Sequence, residues 1–550
     1  MKRLLIISVC FSIGVSTYGQ TELFKKSTSY SHQDSLRGSI TTERAWWDLK
    51  YYDLYVSVDL EARSISGKNV VQYEVLQSMD VMQIDLQSPM KISKVTQNGK
   101  ILEVIDDGHA HFIHLKKEQK KGAIEELTIE FEGTPPEAAN APWDGGFSWK
   151  IDSNGKPFVA TSNQGIGASL WWPCKDHAYD EPDDGQLLSI NVPKELTAVG
   201  NGRLIKTNIE DNGTKTFVWR VVNPINNYGI NVNIGDYVNF SEKYQGEKGE
   251  LDLDYWVLRE NEEKAKKQFK DVPRTIEAFE HWFGPYPFYE DSYKLVEVPY
   301  LGMEHQSSVT YGNGYKNGYN GRGRESLDWS GTGWGLKWDY IIVHETGHEW
   351  FANNVTSKDV ADLWLHEGFT AYSESLFTEY HYGKKAGSEY VTGTRSVIAN
   401  QKPLIGDYDV NKEGSSDMYF KGSNILHTLR QIVDDDEKWR VTLRGLNKDF
   451  YHQIVTTKQV EDYISNQVGI NLKPFFDQYL RDYRIPTLEY KIEDGEISYK
   501  WNDVIDSFEM PVDVTIDKKE IRLTPTTNWQ QVSGRTLEID VDYYIGSRKL

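Results

Sequence analysis

Residues 340–351 read YIIVHETGHEWF. Two histidines and two glutamates stand inside an otherwise apolar run, from His344 to Glu349. Apolar residues at this density belong in an interior, and an ionisable group carried inside needs a partner. The segment therefore dictates a buried polar site that the rest of the chain must satisfy. Two solutions exist: a pair of hydrogen-bonded structural histidines, or a metal centre. On a helix, His344 and His348 lie four residues apart and project from one face, so both reach one ion. Glu345 stands about 100° round from His344 and borders the same face. It is too close in sequence to His344 to share a simple tetrahedral site, but it reaches a water at the ion.

A catalytic zinc takes three protein ligands and leaves one position open. The next segment to mix polar with apolar residues is DLWLHEGFTAYSESLFTEYHYG. In it Glu367 follows His348 by 19 residues, on a second expected helix that ends near Gly383. A connecting loop of about ten residues lets this helix fold back antiparallel and bring Glu367 to the ion. His366 is the alternative ligand, but it points about 100° away from Glu367. Glu374 lies on the Glu367 face. Its plain reading is a solvated or structural glutamate, the alternative a hydrogen bond to a ligating histidine.

Cysteine usage narrows the metal chemistry. The chain has two cysteines, Cys10 and Cys174. Cys10 lies in MKRLLIISVCFSIGVSTYGQ, which has a basic start at Lys2 and Arg3 and an apolar stretch too short to span a bilayer. Small residues Thr17 and Gly19 precede Gln20. This is a secretory signal pattern over residues 1–19, and it predicts an exported chain, periplasmic or extracellular, with no integral membrane segment once matured. Cys174 then stands alone, so neither a disulfide framework nor a thiolate zinc cluster is available, and histidine and carboxylate must hold any metal. A formal net charge of −21 opposes nucleic acid and anionic membranes as partners.

Period-two stretches run from about residue 45 to 240, with a Ser-Gly turn expected at Ser66 and Gly67. Asn-Gly pairs at residues 98–99, 154–155, 201–202 and 212–213 mark further turns. Near Glu260 the period becomes helical, with Phe269, Ile276 and Phe279 on one stripe. After a Gly- and Tyr-rich loop over residues 311–335, helical patterns dominate from Trp338 to about Arg481. Short alternating strands return from Leu488. The organisation expected is α+β multidomain: a signal at 1–19, an N-terminal antiparallel β-domain at 20–240, a mainly helical domain at 241–484 and a small Ig-like β-sandwich at 485–550. The last is near the lower size limit for independent folding and is expected to lean on its neighbour.

Four segments together resemble the M1 family of zinc aminopeptidases, within the gluzincins: HETGHEWFANNVT, then DLWLHEGFTAY, preceded by GMEH and followed by YFKG. The likeness extends to WWPCKD and FGPYPF and covers roughly residues 45–480. It implies a thermolysin-like catalytic domain and one zinc ion on His344, His348 and Glu367. It also implies Glu345 as general base and peptides with a free amino terminus as substrates, losing their first residue. GMEH resembles the Gly-x-Met-Glu-Asn motif, which places Gly302, Met303 and Glu304 on the substrate, Glu304 anchoring its α-ammonium. Tyr419 matches the family tyrosine that stabilises the oxyanion. Gln164, in SNQGIGASLWWP, matches a position that contacts the substrate amino terminus. The sequence departs from the family at His305 and His366, each where Asn is usual, and at Glu349 where Gln is usual. The helical C-terminal domain of many members is not expected here, and Arg430 is the nearby basic residue in sequence, with no position assigned. Two other readings stay open: a secreted zinc endopeptidase, and a non-catalytic β-rich binding protein with a structural zinc.

Overall fold

The computed structural model describes residues 29–321 and 325–550. The expected signal segment and Cys10 lie outside them. Alternation along Trp47–Asp59 becomes an alternation of burial, with Tyr52, Leu54, Val56 and Val58 inside and their neighbours facing outward. This strand is central in an eight-stranded sheet. Its pairing with Ser64–Val75 is antiparallel, as expected, but its other neighbour, Gln186–Pro193, runs parallel to it. Between Ser64–Val75 and Gln186–Pro193 the chain adds further strands to this sheet and then forms part of a second sheet with Gly146–Ile151 and Pro157–Ser162. Large aromatics fill this domain, with Trp46, Trp47, Trp171, Trp172 and Trp219 each at most 2 % exposed.

Asn98 and Gly99, both at positive φ, close the hairpin between Lys91–Gln97 and Lys100–Ile101, as a two-residue Asn-Gly loop does. The turn expected at Ser66 and Gly67 is not there. Both residues sit inside the strand Ser64–Val75, and the chain reverses at residues 60–63, where Arg63 takes a positive φ. Gly67 answers to packing: a Cβ on it would lie 2.1 Å from the Tyr55 carbonyl oxygen and 2.9 Å from the Phe131 ring.

The change of period near Glu260 is real. Helices Glu262–Gln268 and Asp271–Phe283 follow the strand Gly249–Leu258, and Phe269, Ile276 and Phe279 are buried. A five-stranded sheet backs these helices, and the two-residue strand Gly302–Met303 forms one of its edges. The other edge is Tyr237–Gly246, on which the expected boundary at residue 240 falls. Seven further α-helices lie between Tyr340–Gly347 and Lys473–Arg481, both included.

The C-terminal strands form a four-stranded and a three-stranded sheet. Their core is continuous with that of the helical region: Leu488, Trp501, Val512 and Tyr544 pack in one cluster with Leu429, Phe476 and Tyr479. The seam is also polar. Tyr479 donates to the Tyr544 carbonyl at 2.7 Å, Arg395 to that of Val541 at 2.6 Å, and His427 pairs with Asp542 at 3.0 Å. A segment near the lower size limit for independent folding that shares its core with a neighbour is marginal by itself. Residues 485–550 expressed by themselves are expected to show no cooperative thermal transition by circular dichroism; a sharp melt would contradict the shared core.

Candidate active site

Asp339 starts the helix Tyr340–Gly347, its Oδ1 accepting from the Ile341 N–H at 3.2 Å. His344 lies inside the helix and His348 caps its end, so their side chains stay on one side. The linker to the next helix is longer than expected, residues 348–363, because it makes the short strand Val355–Ser357 on the way. The helix Trp364–Tyr382 then carries Glu367 in its first turn and stops at Gly383. Glu367 Oε2 lies 3.7 Å from His344 Nε2 and 3.4 Å from His348 Nε2. Ligands about 2.0–2.1 Å from one tetrahedral ion lie about 3.4 Å from each other, so these spacings fit a single zinc-sized cation. Glu367 Oε2 is buried with no hydrogen-bond partner, an orphaned atom facing the place such an ion takes.

Supporting bonds orient each histidine. His344 Nδ1 meets Glu374 Oε1 at 2.7 Å, and Tyr390 donates to Glu374 Oε2 at 2.7 Å. His348 Nδ1 lies 3.0 Å from the Phe351 carbonyl and 3.1 Å from Thr370 Oγ1. Both rings thus turn Nε2 toward Glu367, as metal-binding imidazoles do. Glu374 is therefore a partner of His344, and its plain reading as a solvated or merely structural group is corrected.

The electrostatics call for a cation. Glu304, Glu345, Glu367 and Glu374 are all buried here, and among the described residues no lysine or arginine pairs with any of them. Burial opposes charge on His344 and His348, yet the surrounding carboxylates hold both imidazoles above their ordinary range. Burial raises Glu367, but His348 and His344 outweigh it and hold the carboxyl below its ordinary value. Glu345 is 7 % exposed and has no hydrogen-bond partner among the described residues, and burial pushes it up to about 7.

Gly302 and Met303 form the buried edge strand, and Glu304 follows it into the same cleft. Gln164 donates to Glu304 Oε1 at 2.6 Å and to Glu367 Oε1 at 3.1 Å, and so spans the two carboxylates. Tyr419 precedes the helix Phe420–Val433, and its ring lies along that of His344, with centroids 6.1 Å apart. A glycine contact sets this helix close: a Cβ on Gly422 would meet Gly368 Cα at 2.7 Å. Burial, then Glu367, pushes the Tyr419 hydroxyl well above its ordinary value and keeps its proton on. All the expected site residues line one cleft of about 220 Å³.

Three residues fall elsewhere. His366 turns away from the ion site, its Nε2 accepting from the Ser357 N–H at 2.8 Å. Burial pushes it down to about 3, so it stays neutral and pins the linker strand. Glu349 accepts from the Ser307 N–H at 2.9 Å and the Tyr286 hydroxyl at 3.2 Å, fastening the loop beyond Glu304. Arg430 is consumed by Glu379, at 2.6 and 2.8 Å, and by Asp436. Sequence reasoning missed Tyr228, which donates to Glu304 Oε1 at 3.2 Å, and Asn353, which donates to the Glu304 carbonyl at 2.9 Å. Nothing in NPINNYGI flags Tyr228, whereas Asn353 follows directly on the His344 motif.

Residues 268–479 match the peptidase family M1 domain, and residues 49–228 match the peptidase M1 N-terminal domain. Leucine aminopeptidase 2 of Kluyveromyces lactis is 25 % identical over 75 % of this chain and 60 % of its own length. Leukotriene A-4 hydrolase of Xenopus laevis is 23 % identical over 76 % of this chain and 68 % of its own. The chain matches 52 % of the length of aminopeptidase N of Lactobacillus delbrueckii, at 22 % identity. In fold it is similar to a crystallised M1 zinc metallopeptidase mutant from Deinococcus radiodurans bound to a Tyr-Ser-Ala substrate. The TM-score is 0.66 at 21 % identity, covering 81 % of this chain and 96 % of that one. With both domains matched in order and a cleft built on their facing residues, the chain belongs to peptidase family M1.

Proposed function

We propose that the protein is a zinc aminopeptidase that hydrolyses the first residue from peptides, with one zinc ion held by His344, His348 and Glu367. The observation that carries this reading is a carboxylate, Glu304, set beside the ion site and bridged to Glu367 by Gln164. When bound, the zinc brings the pKa of an adjacent water toward neutrality and polarises a carbonyl. Glu345, unpartnered and raised toward neutrality, takes the proton of the attacking water and returns it to the departing amine as the peptide C–N bond breaks. Tyr419 keeps its proton and donates the O–H to the carbonyl oxygen as negative charge develops there. Glu304, with Tyr228 and Gln164 fixing its carboxylate, pairs with the α-ammonium. Anchoring the amine this close to the ion site leaves room for one residue before the scissile bond. We further propose that the chain is exported, on the pattern of residues 1–19. Among the described residues no helix is long and apolar enough to cross a membrane.

His305 replaces the usual motif asparagine at a fully buried position. Its Nδ1 lies 3.1 Å from the Gly229 carbonyl and its Nε2 lies 3.4 Å from the Tyr300 hydroxyl. Burial pushes the imidazole down to about 4, so the fold favours its neutral form. For a base depressed in the fold, the stability contribution is complete above its unfolded pKa and is lost as pH falls through the window down to the folded one. The window here runs from the ordinary histidine value of about 6.5 to about 4 and is worth about 3 kcal/mol at its acid end.

Two outcomes are expected. Glu304→Ala should raise KM for free-amine peptides by at least about tenfold, because a desolvated ammonium loses its charged partner. Wild type should also leave N-acetylated peptides uncut. Equal cleavage of acetylated and free peptides would favour the endopeptidase reading. In thermal melts, the stability deficit of His305→Asn at pH 8 should shrink or reverse by pH 5; a deficit that stays constant with pH would remove His305 from the acid sensitivity.

A further inference from the structure

The segment ahead of the first long strand ends its work at the loop that carries Gln164. Residues 29–46 precede the region matched to the family's N-terminal domain, which begins at residue 49. The helix His32–Gly38 lies against the N-terminal domain, where Gln33 Nε2 donates to the Asp107 carbonyl at 3.0 Å. Its other side meets the helical region: a Cβ on Gly38 would lie 2.1 Å from the Asn411 backbone nitrogen, and the Tyr30 hydroxyl donates to Asp407. Arg44, fully buried, gathers the carbonyls of Leu36, Arg37 and Ser39 at 2.9, 3.0 and 2.8 Å and pairs with Asp85 at 2.6 Å. Arg37 therefore stands on a fixed backbone. Its Nη2 donates to the Gly165 carbonyl at 3.0 Å and to the Ile166 carbonyl, which Gln87 also meets at 2.7 Å.

Gln164 needs such a tether. It lines both the cleft and a second cavity of about 80 Å³, which Arg37 and Asp176 bound on one side and Asp359 and His366 on the other, so it stands between two open spaces. Gly165 directly after it is exposed and takes a φ of 73°, where glycine is freest to move. Beyond it, Asp176 accepts from the Ala168 and Ser169 N–H groups at 3.1 and 3.2 Å, and its own N–H donates to Asp85 at 3.1 Å. Asp85 thus anchors the leading segment through Arg44 and the far end of the Gln164 loop through Asp176, and Arg37 closes the span between them. We propose that Arg37 is a positioning residue of the active site: by holding the Gly165 and Ile166 carbonyls it keeps Gln164 on Glu304 and Glu367, and so sets the carboxylate that receives the substrate's α-ammonium. Arg37 does not touch the reacting atoms. Its loss loosens amine capture, an interaction made alike in ground and transition states, and is read in KM rather than kcat. Gly165 is exposed and Ile166 half-buried, so solvent replaces the lost hydrogen bonds without fixing the loop. This inference rests on the aminopeptidase reading.

The test uses the zinc-loaded enzyme, with leucine released from Leu-Phe amide quantified by chromatography. Arg37→Met should raise KM by about three- to tenfold and change kcat by less than about twofold, with zinc content as in wild type. Arg37→Lys, whose ammonium supplies donors again, should recover part of the loss. Gln164→Ala should itself raise KM, and because Arg37 acts through Gln164, adding Arg37→Met to it should produce no further rise. A KM unmoved by Arg37→Met, or raised by the same factor with and without Gln164, would overturn the role of Arg37 while leaving the aminopeptidase reading intact. Should the methionine variant fail to fold, Arg37→Gln carries the same expectation, and an unchanged KM there would overturn the role equally. Wild type that releases no leucine would instead defeat the aminopeptidase reading.

Discussion

Four buried carboxylates surround two histidines, and among the described residues no lysine or arginine pairs with them. That buried concentration of acidic groups is the constraint on which the rest of the molecule depends. Gathering carboxylates inside a protein is costly unless something positive joins them. In the function proposed above two positive species fill the need, a metal cation among His344, His348 and Glu367 and a substrate ammonium at Glu304, so that binding and catalysis draw on one electrostatic feature. The same feature explains the bridging glutamine: Gln164 donates to both Glu304 and Glu367 and keeps the two sites in register.

The scaffold holds these groups with short, inflexible connections. His344, His348 and Glu367 come from two helices that pack together, and Tyr419 precedes a third helix set close by the Gly368–Gly422 contact. Glu304 follows an edge strand of the five-stranded sheet. Glu349 and His366, the two residues that depart from the family near the metal motifs, are spent on fastening loops to this frame. His366 Nε2 and both Glu349 carboxylate oxygens form their hydrogen bonds away from the ion, so neither residue joins the ligand set.

What sequence made legible was what depends on local spacing. The i, i+4 histidines, the helix carrying Glu367 and the alternation of Trp47–Asp59 all follow from periodicity. What it left hidden depends on tertiary approach. Gly67 looks like a turn residue but serves a ring packed across the sheet. Glu374 looks like a surface glutamate until the second helix folds back onto His344. Arg430 looks available until Glu379 and Asp436 close on it. Tyr228 carries no local signature, since tyrosine is abundant throughout the chain. The parallel pairing of the first long strand likewise required the intervening sheet to be seen.

The most direct measurement is zinc content and turnover made together on purified wild type and on Glu345→Gln. Glutamine keeps the shape of the side chain but cannot take a proton. The account predicts one zinc per chain in both proteins by elemental analysis, with leucine released from Leu-Phe amide by wild type and no measurable release by the variant. Wild-type chain that neither contains zinc nor takes it up would contradict the account at its root, and so would a zinc-loaded variant as active as wild type.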